Sequence, residues 1–139
     1  TAPSVPGTKQ LQGLRVLVCE DSASIATLLE VVLNAAGATM TQCVNGLEGL
    51  RCFEEQNASG APPDLVLMDM QMPIMDGYEA TGHIKALRPD IPVVALTAFA
   101  LADDIDRGLD AVCDYYLTKP IQIETFTEEL RSIRERLDV

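Results

Sequence analysis

Three short runs of unbroken apolar residues, Val16-Leu17-Val18-Cys19, Leu65-Val66-Leu67-Met68 and Val93-Val94-Ala95-Leu96, constrain this chain more than any other feature. A strand with one wet face alternates apolar and polar residues, whereas an unbroken run needs cover on both faces, as in a parallel sheet between two layers of helices. From Thr39 to Val44 the polarity alternates, with Met40 separated from Val44 by Thr41 and Gln42, which suits an edge strand. Tyr115-Tyr116-Leu117 supplies a shorter fifth strand.

Helical patterns fall between these runs. Ile25, Leu28, Leu29, Val32 and Ala36 share one face after a Ser22 cap. Leu47, Leu50 and Phe53 line a second helix, Ala80, Ile84 and Leu87 a third, and Leu101, Ile105 and Leu109 a fourth. Phe126, Leu130, Ile133 and Leu137 step at helical spacing through a charged background and make the fifth. Five strand–helix alternations predict a three-layer α/β sandwich with right-handed crossovers.

The 139 residues suffice for one domain and are too few for two ordinary ones. Residues 1–12, with Pro3, Ser4, Pro6, Gly7 and Thr8, read as a linker or tag remnant, and residues 13–139 as the domain. Thr1 in the place of an initiator Met is expected of a piece of a longer protein. A formal net charge of −11 disfavours direct binding to nucleic acid or an anionic membrane. No apolar run approaches the roughly 20 residues of a membrane helix. Cys19, Cys43, Cys52 and Cys113 form no CxxC pair and read as buried or half-buried thiols of a reducing compartment rather than a zinc site or disulfide framework.

In such sheets ligands sit beyond the carboxyl ends of the strands, near the topological switch point. The first strand delivers Glu20-Asp21 there, the third Asp69, the fourth Thr97-Ala98 and the fifth Thr118-Lys119-Pro120. Two carboxylates 4 Å apart repel by about 4 kcal/mol at an effective dielectric of 20, so a compensating positive charge is required. Lys119 is one source, and a hard divalent cation such as Mg²⁺, which takes carboxylate and phosphate oxygens, is the other. A carboxylate, a metal and a lysine suit an anionic electrophile, with Asp69 as nucleophile on phosphorus.

The stretch Leu67-Met68-Asp69-Met70-Gln71-Met72-Pro73-Ile74-Met75-Asp76-Gly77-Tyr78-Glu79-Ala80, together with Glu20-Asp21, Thr97-Ala98 and Lys119-Pro120, resembles the receiver domains of two-component response regulators from Leu14 to about Leu137. That resemblance implies a flavodoxin-like, doubly wound sheet of five parallel strands in the order 2-1-3-4-5 with five helices. It implies that Asp69 accepts a phosphoryl group from a phosphohistidine on a histidine kinase or histidine phosphotransfer protein. Glu20, Asp21, Asp69 and the backbone carbonyl of Gln71 would hold Mg²⁺, while Lys119, Thr97 and the backbone amide of Ala98 would contact phosphate oxygens. Tyr116 falls on the family's switch aromatic, which with Thr97 alters the surface of the fourth helix, fifth strand and fifth helix. The proline after Lys119 is often cis in that family. The linker and methionine-rich loop look like the receiver of a hybrid sensor histidine kinase: cytoplasmic, in a parent that can be membrane-anchored, a monomer or weak dimer, and not an enzyme by itself.

Glu20 replaces the commoner aspartate, Gln71 fills a variable position that tunes phosphoryl lifetime, and Val112 and Tyr115 stand where relatives often carry glycine and an acidic residue. Phosphatases of the haloacid-dehalogenase type share the nucleophile but resemble a DxD pattern, and Gln71 cannot move the proton of its second aspartate. A flavin site of the same topology needs a phosphate loop after the first strand, where Glu20-Asp21 would repel the phosphate. An interaction module that is never phosphorylated stays open. Pro73 and Gly77 read as loop punctuation, the nearby methionines as packing, and His83 as a solvated helix residue.

Overall fold

The computed structural model describes residues 11–97 and 113–137. Its strands are β1 (Arg15–Cys19), β2 (Thr39–Cys43), β3 (Leu65–Asp69), β4 (Val93–Thr97) and β5 (Tyr115–Thr118). The helices are α1 (Ala23–Ala35), α2 (Gly46–Ala58), α3 (Gly77–Leu87) and α4 (Ile123–Leu137). All neighbouring strands are parallel and lie in the order β2-β1-β3-β4-β5, as the resemblance implied. Four helices occur among the described residues. The predicted fourth, around Leu101, Ile105 and Leu109, lies outside them, so the fifth predicted helix is α4 here.

The unbroken apolar runs have the expected physical cause. Val16 and Val18 enter one buried layer with Leu29, Leu33, Phe126 and Leu130. Leu17 and Cys19, the alternate residues of the same strand, enter the other with Leu50, Phe53 and Ile84. β1, β3 and β4 therefore each feed both cores, while the outer strand β2 leaves Thr39 and the consecutive Thr41 and Gln42 exposed, so the expected alternation is broken at Gln42. Side-chain oxygens of Ser22, Asn45 and Asp76 accept from the amides of Ile25, Glu48 and Glu79 and start α1, α2 and α3.

Two packing expectations need correction. Leu11, inside the segment read as linker, is fully buried, and its amide donates to the Ala36 carbonyl at 2.8 Å. Packing against the end of α1 thus begins at least two residues before the expected boundary. Leu87 is 45% exposed in the last turn of α3, and Ile91 closes that layer in its place. Strand order reverses between β1 and β3, so the carboxyl ends of these two central strands open the crevice in which functional groups are expected.

Candidate functional site

Residues remote in sequence meet at this crevice. Glu20 follows β1 directly, its amide donating to the Cys43 carbonyl at 2.9 Å. Its side chain is fully buried, and Oε2 accepts from the Ser22 amide at 3.1 Å. The Lys119 ammonium lies 3.0 Å from Oε1, a charge contact away from the hydrogen-bond direction, so this buried oxygen lacks a well-aligned donor. Asp69 ends β3, buried but for 4% of its surface; Oδ1 accepts from the Gln71 amide at 3.0 Å, and Oδ2 faces Lys119 at 3.2 Å. Asp21 is exposed at the mouth. One oxygen from each of Glu20, Asp21 and Asp69 lies within 4.8 Å of the others, the one such group of three acidic or soft ligands among the described residues.

Lys119 is aimed here by the register of the sheet. β4 and β5 pair with Thr97 opposite Thr118, and the Lys119 amide donates to the Thr97 carbonyl at 2.8 Å. The Lys119–Pro120 bond is cis. Thr97 is buried at the tip of β4, one residue beyond Leu96, the register partner of Asp69. Tyr116 stands on β5 opposite Ala95 and is 39% exposed. Ala98 and Val112 lie outside the described residues. His83 is exposed, 3.9 Å from Glu79, as expected of a solvated histidine.

The electrostatics follow from burial in a like-charged pocket. Burial pushes the Glu20 carboxyl up, the Ser22 amide and Lys119 pull it back, and nearby Asp69 adds to the rise, so the net shift is upward. Burial alone would lower Lys119. Its contact with Glu20 and the charges of Asp69 and Glu20 more than offset that, and the ammonium is held above its ordinary value.

Two contributors were not visible as site residues in the sequence. A Cβ on Gly77 would stand 2.5 Å from the Asp69 carbonyl oxygen and 2.7 Å from the Met70 Cα, so only glycine lets α3 start against the end of β3. Ser22 reads as a helix cap, and its backbone amide also fixes Glu20. The Asp76-Gly77 pair before a helical pattern was the available signal for the first; nothing local signalled the second.

The model of the response regulator receiver domain matches residues 16–131. The chain belongs to this family. The receiver domain is 33% identical to histidine kinase 1 of Arabidopsis thaliana over an alignment covering 90% of the chain and 13% of that protein. It is 32% identical to the transcriptional regulatory protein PrrA of Mycobacterium leprae, covering 88% of the chain and 50% of the relative. The chain thus spans half or less of these relatives. Among solved structures, the receiver domain of a sensor histidine kinase from Pseudomonas aeruginosa PAO1, with a magnesium ion coordinated in its active-site cleft, superposes with a TM-score of 0.76 at 33% identity, covering 91% of this chain and 99% of that one. No described helix of this receiver domain is long and apolar enough to cross a membrane.

Proposed function

We propose that this receiver domain accepts a phosphoryl group on Asp69 from a phosphohistidine of a histidine kinase or histidine phosphotransfer protein, with Mg²⁺ as cofactor. The observation that carries the proposal is the Lys119 ammonium lying 3.2 Å from Asp69 and 3.0 Å from Glu20 at the same sheet rim as Asp21. Three carboxylates with one lysine leave an excess of negative charge, and the buried Glu20 Oε1 lacks an aligned donor. An all-oxygen donor set of this kind fits a hard divalent cation. Glu20, Asp21, Asp69 and the Gln71 carbonyl would hold it, and when bound it would neutralise charge shared by the carboxylates and the phosphoryl oxygens.

In the transfer, an Asp69 carboxylate oxygen forms the new P–O bond while the P–N bond to the imidazole breaks and the ring nitrogen leaves with the electron pair. Lys119 stabilises charge on the equatorial oxygens from a preorganised position, and the Thr97 hydroxyl and the Ala98 amide complete the contacts. Drawing Thr97 toward the phosphoryl group frees space for Tyr116 to turn from its exposed position. That would alter the surface around the predicted fourth helix, β5 and α4. The likeness to a plant histidine kinase and to a bacterial kinase's receiver domain supports a hybrid-kinase origin, with a phosphotransfer protein as partner. The net charge of −11 argues against contact of this domain with nucleic acid or an anionic membrane, and a cytoplasmic monomer or weak dimer completes the proposal.

The test is intact-mass measurement after exposure to a small phosphodonor with Mg²⁺, quenched rapidly in acid because acyl phosphates hydrolyse. One added phosphoryl group in the wild type and none in Asp69→Asn is expected. No gain in the wild type would favour an interaction module that is never phosphorylated.

A further inference from the structure

Three of the four cysteines converge on one side of the sheet. Cys19 and Cys43 end β1 and β2 and are register partners. Helix α2 crosses them so closely that a Cβ on Gly49 would overlap the Cys19 sulfur and stand 3.9 Å from the Cys43 Cβ. Cys52 lies one helical turn beyond Gly49 and so shares the face that α2 turns to the sheet. Cys43 thus neighbours Cys19, its register partner, and packs in the same buried cluster that Cys52 covers. All four thiols are free, and Cys113 stands just before β5, at the opposite edge of the sheet from β2. The phosphoryl chemistry uses none of them. The three thiols are also too far apart to hold one metal ion together, since among the described residues only the carboxylate cluster meets that geometry.

Geometry and access select one pair. Cys19 and Cys43 project side by side from neighbouring parallel strands, so their Cβ vectors do not converge as a relaxed disulfide requires. Cys52 instead approaches Cys43 from the helix, across the helix–sheet interface, one turn beyond the Gly49 that rests against Cys43. Cys19 and Cys43 are buried, whereas Cys52 is half-buried, which gives a small oxidant an entrance at the Cys52 side. We propose that Cys43 and Cys52 are an oxidation site of this domain, closing to a disulfide when a hydroperoxide reaches them.

One sulfur, as thiolate, attacks the hydroperoxide O–O bond and becomes a sulfenic acid as the other oxygen leaves and is protonated to water or alcohol. The second sulfur then attacks the sulfenic sulfur. Hydroxide departs and takes up the second thiol's proton as water, so the two thiols lose two hydrogens and the peroxide is reduced. Burial, with the neighbouring Cys43, pushes Cys52 up to about 11, so attack by the Cys52 sulfur quickens as pH rises. The bridge would pin α2 to the strand end whose Cys43 carbonyl accepts from the Glu20 amide, which couples the thiol state to the acidic pocket.

The reduced domain is treated with hydrogen peroxide at mildly alkaline pH, alkylated, digested and mapped without reduction. The expected result is a loss of two hydrogens and a peptide pair joined through Cys43 and Cys52, reversed by dithiothreitol. Cys52→Ser should abolish the joined pair and Cys113→Ser should leave it. A pair joined through Cys19, oxygen added to separate cysteines without a bridge, or no change in mass would overturn the proposal. Should Cys52→Ser fail to fold, the wild-type map decides by itself. No phosphodonor is present, so failure here leaves the phosphoryl reading standing, and failure of that reading leaves the bridge.

Discussion

Replacing Lys119 with methionine keeps most of the aliphatic stem and removes the charge, which isolates the electrostatic role of the ammonium. The lysine side chain is 19% exposed, and its two partners, Glu20 and Asp69, are 0% and 6% exposed. Taking one partner from a buried ion pair costs about 3–5 kcal/mol, because the opposite charge is left uncompensated. The low end applies here, since Glu20 already has a raised pKa and can take up a proton once the lysine is gone. A loss of about 3 kcal/mol is therefore expected without divalent cations. At roughly 3–4 °C per kcal/mol for a domain of this size, the melting temperature should fall by roughly 10 °C. Adding Mg²⁺ should recover a larger part of the stability in Lys119→Met than it adds to the wild type, because the ion then supplies the missing positive charge. Thermal unfolding followed by circular dichroism, with and without Mg²⁺, reads both quantities. A variant within about 0.5 kcal/mol of the wild type in the absence of divalent cations would refute the reasoning, that being the usual scatter of neutral surface changes.

Gly77→Ala places a methyl against backbone atoms of β3, with 2.5 Å to the Asp69 carbonyl oxygen, and should cost about 1–3 kcal/mol in urea denaturation; an unchanged midpoint would show that α3 can shift freely. The pH dependence has a definite sign. The folded-state pKa of Glu20 lies above its unfolded value, so the folded domain binds the extra proton, and without metal its stability should rise as pH falls from neutral through that raised pKa. Glu20→Gln should flatten that part of the profile, and an equally sloped profile in the variant would assign the effect elsewhere. Lys119 works in the opposite range: its raised pKa contributes stability present below the unfolded lysine value and lost as pH climbs through the folded one. Alkaline unfolding of Lys119→Met should lack that loss, and an unchanged alkaline limb would contradict it.

The central strands were legible because residues such as Leu65 to Met68 are covered on both faces, and no other structure accommodates so short an unbroken run as simply. The acidic pocket was legible for a related reason. Parallel strands point their carboxyl ends the same way, so Glu20-Asp21, Asp69 and Lys119 had to share one rim once the runs were taken as strands. What escaped depends on contacts between distant segments. Leu11 looks like part of a polar lead-in, and only its bond to Ala36 and its place beside Leu33 make it core. Gly46 and Gly77 look like loop residues, although a Cβ on Gly46 would overlap the Met75 carbonyl and one on Gly77 the end of β3. Ile74, 76% exposed with φ 71°, occupies backbone that favours glycine or asparagine, and no local pattern announces it. The tie from Lys85 to Asp114, which fastens α3 to the entry of β5, joins residues too far apart in sequence to be paired by inspection.

Borohydride trapping reads the phosphoacceptor most directly. Reduction of an aspartyl phosphate converts that aspartate to homoserine, and digestion followed by tandem mass spectrometry locates the conversion. After treatment with a small phosphodonor and Mg²⁺, homoserine at position 69 alone is the expected result. Homoserine at position 21, reduction of Glu20 to hydroxynorvaline, or no conversion in a fully folded sample would contradict the assignment of Asp69.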